Sequence, residues 1–202
     1  MKNRIITISR QFGSGGRTVG KEVAAKLGIP CYDNELIEKV AEESGLAKEY
    51  VEEHGEYTTH GSWLANVLAA GRTYNGISNQ DYLWITQRKI IMELAQKGPC
   101  VIVGRCADYI LRDIADCIKV YVHADMDKRA ERIVNLYGER EDSPMKRLKD
   151  KDKRRAAYYQ FYTEMEWGNA NQYDVALDSG TLGIEKCVEI IADIYKSKPI
   201  VE

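Results

Sequence analysis

Near its amino-terminal end the chain reads Ile5-Ile6-Thr7-Ile8-Ser9-Arg10-Gln11-Phe12-Gly13-Ser14-Gly15-Gly16-Arg17-Thr18-Val19-Gly20. The apolar, β-branched run that opens this stretch predicts a buried parallel strand. Three glycines then fall within four residues, and Val19, Val23 and Leu27 follow at the spacing of one helix face. A strand, a glycine-rich turn and a helix in this order direct backbone N–H groups and a helix N-terminus at an anion. The stretch therefore predicts a phosphate-binding turn.

The end of this turn matches part of a triphosphate-binding motif. Gly16-Arg17-Thr18 agrees with the last residues of G-x-x-x-x-G-K-[ST], although Arg replaces Lys and Gln11 replaces the first glycine. In that interpretation, Arg17 and Thr18 meet a polyphosphate and its magnesium at the start of the helix. Glycines without a Cβ let the backbone approach the phosphates closely. The turn that surrounds the phosphates comprises Gly13, Ser14, Gly15 and Gly16.

Two other interpretations of the turn stay open. A dinucleotide-binding turn would place a ribose-binding acid downstream of its first glycine, and Asp33 lies 20 residues after Gly13. Against this interpretation, G-x-G-x-x-G starting at Gly13 requires a glycine where Thr18 stands. The remaining interpretation is a strand–helix turn with a purely structural role.

Length and composition describe an ordinary globular protein. The 202 residues are 44% hydrophobic and 30% charged, which excludes a disordered chain and suits one α/β domain spanning residues 1–202. The formal net charge of −2 gives no indication of nucleic acid or an anionic membrane as a partner. No apolar run is long enough to span a bilayer. The five cysteines are scattered without a C-x-x-C pair, so we expect free thiols and a cytoplasmic protein.

Apolar runs alternate with helical periodicity along the chain. Five runs predict strands, at residues 5–8, 29–33, 100–103, 118–123 and 174–177. Right-handed crossovers would place them in one parallel sheet with helices on both faces. A helix is predicted over 81–97, and 146–162 forms a long basic helical segment. Residues 46–79 show little pattern beyond a short helical stripe at 63–68, and 71–79 is predicted to be a loop.

Four segments in this order resemble the cytidylate kinase-like family, a branch of the nucleoside monophosphate kinases within the P-loop superfamily. They are residues 6–17, 29–33, 101–111 and 174–182, and together they span nearly the whole chain. The resemblance implies a P-loop NTPase-type three-layer α/β sandwich, with a parallel sheet of about five strands and a helical lid. It also implies transfer of the γ-phosphoryl group of ATP to a nucleoside monophosphate, usually CMP or dCMP, with Mg²⁺.

The resemblance assigns the nucleotide-binding roles to the first turn. Residues 13–18 would hold the β- and γ-phosphates of ATP, and Thr18 would be the magnesium ligand. Arg17 stands where the family carries Lys in this loop. We expect it to be a functional substitute and a catalytic residue, because a guanidinium stays charged and can contact two phosphate oxygens at once.

Acceptor binding is implied at two places. Asp33, Asn34 and Lys39 occupy the stretch of the family's monophosphate-binding helix, where the family's usual Ser and Arg are here Asn34 and Lys39. Asp33 is alternatively a helix cap. Arg105 matches the Arg of the family's Gly-Arg-Asp motif and follows a strand, where α/β proteins bind ligands. Cys106 replaces the Asp of that motif, so Asp108 is the nearby acid that we expect to contact the acceptor.

The basic segment resembles the family's lid, which we place at about 138–165. Its candidate catalytic cations are Lys151, Arg154 and Arg155. Lid cations exclude water and stabilise the charge that spreads during transfer. The alternative is a solvated amphipathic helix.

Other functions remain open at this point. A kinase of another small acceptor is one, because the positions that read cytosine are altered. A nucleotide-binding regulator with little catalysis is another, because Arg replaces the loop Lys. A nucleotide-dependent oxidoreductase is the third. We expect residues 46–79 to be an acceptor-side insert, and a homodimer is compatible with the sequence.

Overall fold

The computed structural model describes residues 2–56, 73–74 and 77–197. The strands are β1 (Arg4–Arg10), β2 (Cys31–Tyr32), β3 (Thr73–Tyr74), β4 (Ile77–Ser78), β5 (Cys100–Val103), β6 (Asp116–His123) and β7 (Val175–Asp178). The α-helices are α1 (Gly16–Leu27), α2 (Asn34–Ser44), α3 (Lys48–His54), α4 (Asn79–Lys97), α5 (Ala107–Ile110), α6 (Met126–Tyr137), α7 (Pro144–Thr163), α8 (Ser179–Leu182) and α9 (Ile184–Ser197). A 3₁₀ turn covers Ala170–Gln172.

The apolar run at residues 5–8 forms the central strand of the main sheet. β1 pairs in parallel with β5 on one side and with β6 on the other. β2 pairs with β5 and β7 with β6, so the order is β2-β5-β1-β6-β7 and all five strands are parallel. The prediction of a five-stranded parallel α/β sheet is therefore confirmed.

Alternating side chains of the central strands build a core on each face of the sheet. Ile5 and Ile102 pack with Leu36 and Ile91 of α2 and α4 on one face. The other face carries a second apolar cluster in which Ile6 and Ile8 pack against α1 and α9, and Val19, Val23, Val188 and Ile191 belong to it. Because both faces are covered, apolar residues point to both sides of these strands, as in Ile5, Ile6 and Ile8 of β1 and the whole of β5.

The structure describes only part of the segment at residues 46–79. Residues 46–56 contain α3, and the 71–79 segment predicted to be a loop includes the paired strands β3 and β4. This antiparallel pair corrects the loop prediction at the residues described. The helical stripe predicted at 63–68 lies outside the described residues.

The strand order determines where a ligand can bind. From β1 the chain crosses to β2 at one edge, whereas from β6 it continues to β7 at the other edge. The connections therefore leave two neighbouring strands, β1 and β6, in opposite directions, and α/β sheets bind ligands outside the carboxyl ends of strands at such a point. The glycine-rich turn follows β1 at this edge. Among the described helices, none has both the length and the apolar character of a membrane span.

Candidate functional site

The glycine-rich turn has the backbone conformation that its sequence predicts. Gly13 and Gly15 adopt φ angles of 77° and 80°, in the left-handed region that a side chain disfavours. Space is also limited, because a Cβ on Gly16 would lie 2.5 Å from the Cβ of Arg10. Within the turn, the backbone N–H and the hydroxyl of Ser14 both donate to the carbonyl of Gln11. The turn is therefore held by its own hydrogen bonds.

The N-terminus of α1 opens from this turn without a side-chain cap. Gly15 is the N-cap residue and has no side chain that could accept a helix N–H. The first N–H groups of a helix lack partners within the helix, and its dipole favours a negative charge there. These two properties suit the start of α1 to an anion.

A cavity of about 730 Å³ lies against this helix start. Its walls include Gly13, Gly15, Gly16, Arg17 and Thr18 of the turn, together with three α7 residues, Lys151, Arg154 and Arg155. Ser14 is fully buried in the turn and is not part of the wall. The structure thus brings the predicted phosphate loop and the predicted lid cations together around one cavity.

The cavity has a cationic lining. Its described walls carry eight Lys or Arg side chains and only four acidic ones. The cations are Arg10, Arg17, Arg132, Arg140, Arg147, Lys151, Arg154 and Arg155. Such a lining favours a polyanion, and the concave shape concentrates the field.

Arg17 contacts an acid from the next strand connection. Its Nε lies 2.6 Å from Oδ2 of Asp33, which follows β2. The Asp33 side chain is only 6% exposed, while that of Arg17 is 44% exposed at the cavity wall. Asp33 is at the N-cap position of α2 but makes no side-chain cap hydrogen bond there. Its observed contact is therefore with the loop cation rather than with the helix that it precedes.

Behind the cavity lies a buried cluster of charges. Glu56 binds the guanidinium of Arg10 through both carboxylate oxygens, with Nη2 at 2.9 Å from Oε2. Nη2 of Arg155 lies 3.6 Å from the same oxygen, and the backbone N–H of Arg105 donates to Oε1 at 3.3 Å. Burial alone would raise the pKa of Glu56, but the Arg10 and Arg155 guanidiniums hold it well below its ordinary value. The two guanidiniums therefore favour the charged form of this carboxylate.

Arg105 itself is buried beside this cluster. Its guanidinium donates to the carbonyl of Val51 at 3.2 Å and to Oε1 of Gln87 at 3.0 Å. Its φ of 60° places the backbone in the left-handed region, which is unusual for a residue other than glycine. The side chain is 5% exposed and is not among the residues of the cavity wall.

The other predicted acceptor residues have different surroundings from one another. Asp108 is buried and accepts a 2.7 Å hydrogen bond from the hydroxyl of Tyr159. Burial raises the pKa of Asp108, and the Tyr159 hydrogen bond offsets part of that effect. Lys39 is exposed on α2. Asn34 is the first residue of that helix, and its side chain is not among those that the structure describes.

Helix α7 is attached to the glycine-rich turn by an acid among its basic residues. Oδ1 of Asp152 accepts the backbone N–H of Phe12 at 2.7 Å, and Oδ2 lies 2.5 Å from Nη1 of Arg129. Arg129 also donates to the carbonyl of Phe12. The α7 helix therefore contacts the turn directly, which explains why its cations share the cavity.

The opposite wall of the turn is held by α6 and α8. Arg132 donates to the carbonyl of Gly13 at 3.0 Å, and the hydroxyl of Ser179 contacts the carbonyl of Ser14. Both residues come from parts of the chain that the sequence patterns did not connect with the turn.

The sequence patterns did not single out several residues of the site, among them Arg10, Glu56, Arg132 and Asp152. Arg10 had a signal, because it ends an apolar strand at the ligand-binding edge of the sheet. The other three show none, because each lies in a helical or polar stretch whose pattern is that of an ordinary surface.

Comparison with known proteins agrees with this geometry. The model of the cytidylate kinase-like family matches residues 5–181. A protein named cytidylate kinase from Archaeoglobus fulgidus is 29% identical over 202 aligned positions, which cover 96% of each chain. The crystal structure of an uncharacterised protein from Eubacterium ventriosum is 28% identical, with a TM-score of 0.72 and coverage of 96% of this chain and 99% of that one.

A more distant structure shows the fold alone. Shikimate kinase from Acinetobacter baumannii, in complex with shikimate, is 14% identical with a TM-score of 0.54 and coverage of 100% and 97% of the two chains. The family model extends from β1 through β7 and so includes the turn, the charge cluster and α7. The chain therefore belongs to the cytidylate kinase-like family of ATP-dependent nucleoside monophosphate kinases.

Proposed function

We propose that this protein transfers the γ-phosphoryl group of ATP to CMP or dCMP, with Mg²⁺ bound to the triphosphate. The observation that carries the proposal is the shared cavity, in which an uncapped helix N-terminus faces the cations of α7. Phosphoryl transfer depends on positioning and charge stabilisation more than on covalent chemistry. A cavity lined by N–H donors and guanidiniums supplies both.

The residues of the turn fit a magnesium triphosphate. Within the turn at residues 13–18, the backbone N–H groups other than that of Ser14, which donates to Gln11, would bind the β- and γ-phosphates. The exposed Thr18 hydroxyl would hold the metal. The bound ion would neutralise charge on the phosphate oxygens. Arg17, oriented by Asp33, would place its guanidinium on the same phosphates. Through its contact with Arg17, Asp33 would help to position the ATP. This role would come in addition to the role in acceptor binding that we expect for Asp33.

The cations of α7 would act at the transferred group. Lys151, Arg154 and Arg155 would balance the charge on the γ-phosphoryl oxygens as the bond to ADP breaks, and they would exclude water. No general base is required, because the acceptor is a phosphate with a second pKa of about 6 and is already ionised at neutral pH. The acceptor would be held on the side of Asn34, Lys39, Arg105 and Asp108.

A different small-molecule acceptor is the second candidate. Lys39 is exposed and Arg105 already donates to Val51 and Gln87, so two of the residues expected to read a nucleoside monophosphate have other surroundings. A nucleotide-binding regulator is the third, supported by Arg17 in place of lysine. Four expectations from the sequence stay predictions: the single domain over 1–202, the acceptor-side insert at 46–79, the lid at about 138–165 and the homodimer.

One experiment separates these candidates. Purified protein with Mg²⁺ and ATP is offered CMP, dCMP, UMP, AMP and shikimate-like alcohols in turn, and ADP release is measured. We expect acceptor-dependent release with CMP or dCMP. Release with another acceptor alone would contradict the cytidine assignment, and ATP binding without acceptor-dependent release would favour the regulator.

A further inference from the structure

Glu56 joins three parts of the chain behind the cavity. Arg10 ends β1, Arg105 follows β5, and Arg155 lies on α7, and each of them contacts the Glu56 carboxylate. Arg10 and Arg155 also form part of the cavity wall beside the glycine-rich turn. One carboxylate therefore contacts two of the cations that face the cavity.

The surrounding backbone leaves room for this carboxylate. Gly104 has a φ of 75°, and a Cβ on it would collide with Oε1 of Glu56 and Nη1 of Arg10. A Cβ on Gly55 would collide with Nη1 of Arg105. The two glycines and the left-handed backbone conformation of Arg105 thus let the carboxylate and the guanidiniums approach each other closely. Such backbone requirements are typical of a functional site rather than of an incidental ion pair on the surface.

The two cavity cations are also fixed relative to each other. Nη1 of Arg155 donates to the backbone carbonyl of Arg10 at 3.1 Å, while Nη2 approaches Glu56. The Cβ of Arg10 packs against Gly16, the first residue of α1. The Arg10 side chain therefore runs from the phosphate turn to the connection after β5, between the donor side and the expected acceptor side.

Flexible arginines stabilise a transferring phosphoryl group best when they are held in place beforehand. Preorganised charges do not need to reorient during the reaction, and supporting contacts decide how well they are held. A bidentate carboxylate provides such support, because the planar guanidinium then has a fixed direction.

We propose that Glu56 is a positioning residue that holds Arg10 and Arg155 on the cavity wall for the transferred phosphoryl group. The proposal rests on the kinase function proposed above. It adds Arg10 to the cations that contact the substrate, and it assigns Glu56 a role through them rather than contact with the substrate itself. ATP binding depends mainly on the turn and Arg17, so it should be nearly independent of Glu56.

The test compares Glu56→Gln with Glu56→Asp and with a matched control, Glu49→Gln, an exposed acid on α3. For each protein, kcat/KM is measured with the best acceptor of the wild type, and the ATP dissociation constant is measured directly. For Glu56→Gln we expect kcat/KM to fall at least tenfold with less than a twofold change in ATP affinity. Glu56→Asp retains the charge and should recover part of the loss, and Glu49→Gln should match the wild type.

Should Glu56→Gln fail to fold, Glu56→Asp carries the test alone, with reduced kcat/KM at unchanged ATP affinity as the expected result. Turnover of folded Glu56→Gln equal to that of the wild type would overturn the proposal, and so would wild-type turnover of Glu56→Asp if Glu56→Gln does not fold. A parallel loss of ATP binding and turnover in Glu56→Asp would also overturn it, because a purely structural role predicts that pattern. A wild type without acceptor-dependent turnover would instead contradict the proposed function.

Discussion

Arg17 stands where the family carries lysine, and the two residues would bind phosphate in different ways. Lysine is a flexible point charge, whereas arginine has a planar group with several donors that needs an orienting partner. Asp33 supplies that partner at 2.6 Å from Nε, and the pair links the turn after β1 with the end of β2. The contact through Nε is compatible with a guanidinium that reaches phosphate oxygens with its other nitrogens.

We expect Arg17→Ala to reduce kcat/KM about 100-fold or more, because the electrostatic contact proposed between Arg17 and the phosphates would be lost. Arg17→Lys should retain more activity than Arg17→Ala, since the charge remains. Steady-state kinetics measure both variants, and Lys21→Ala, an exposed cation on the same helix, is the matched control. Near-normal turnover of Arg17→Ala would show that Arg17 does not replace the loop lysine.

The buried environment of Asp108 leads to a prediction about the pH dependence of stability. Its folded pKa lies above the ordinary value of 3.8, because burial disfavours the charged form. The folded state therefore binds the proton more tightly than the unfolded state, and stability falls as pH rises from the unfolded pKa through the folded one.

Asp108→Asn removes this titration but keeps an acceptor for Tyr159. Its free energy of unfolding relative to the wild type should therefore increase as pH rises above about 4, and denaturant unfolding at several pH values measures it. A pH-independent difference would contradict the assignment. The acceptor KM of the same variant tests the expected role of Asp108 in substrate binding, which predicts an increase.

At the scale of elements, α7 is a packed helix rather than an isolated basic segment. Ser143 caps it by accepting the N–H of Lys146, and Pro144 occupies its first turn. Leu148, Tyr158 and Tyr159 are buried along its length. An amphipathic helix also has a buried apolar face, so that alternative to the lid stays open. Opening and closing of α7 as a lid stays a prediction.

The contact of Asp152 with Phe12 should stabilise the turn. A hydrogen bond to a charged group contributes about 1.5–3 kcal/mol, so its loss in Asp152→Ala should accelerate amide exchange of residues 10–16 by about tenfold or more. Hydrogen exchange with mass spectrometry measures this. Asp150→Ala, an exposed acid on the same helix, should leave the exchange of these amides unchanged. Equal protection in both variants would mean that α7 does not hold the turn.

For the whole molecule, the contrast between net charge and local charge is the main electrostatic feature. The chain carries a formal charge of −2, yet the described cavity walls hold eight cations and four acids. The fold therefore concentrates positive charge at the carboxyl edge of the sheet, where α6, α7 and the turn converge. The rest of the surface carries the compensating acids.

Salt should therefore weaken substrate binding more than turnover. The Debye length falls from about 10 Å at 0.1 M to about 3 Å at 1 M salt, so exposed wall cations such as Arg140 are screened while buried Arg10 is screened less. We expect the KM for ATP to rise several-fold over this range with a smaller change in kcat. Arg140→Gln should reduce the salt dependence of KM. A salt-independent KM would contradict electrostatic attraction at the cavity rim.

The sequence alone determined the sheet, the turn and the family. Residues 5–20 specify a strand, two left-handed glycines and a helix through local periodicity and the lack of a Cβ, and neither property needs a distant partner. The cations at residues 151–155 were also found, because a charged helix is visible in its own pattern. The paired strands at 73–74 and 77–78 were missed, since two-residue strands leave too short a pattern.

Only the tertiary structure decided which charges meet. In the sequence, Glu56 lies 46 residues from Arg10, and Arg155 lies 145 residues from Arg10. Their contact depends on the insertion of β5 between β1 and β2, which brings the connections after β1 and β5 and the α7 helix to one place. A sequence pattern records the period of neighbouring residues but not the order of strands. For that physical reason the ion cluster, and the pairing of Arg17 with Asp33, could be found only in three dimensions.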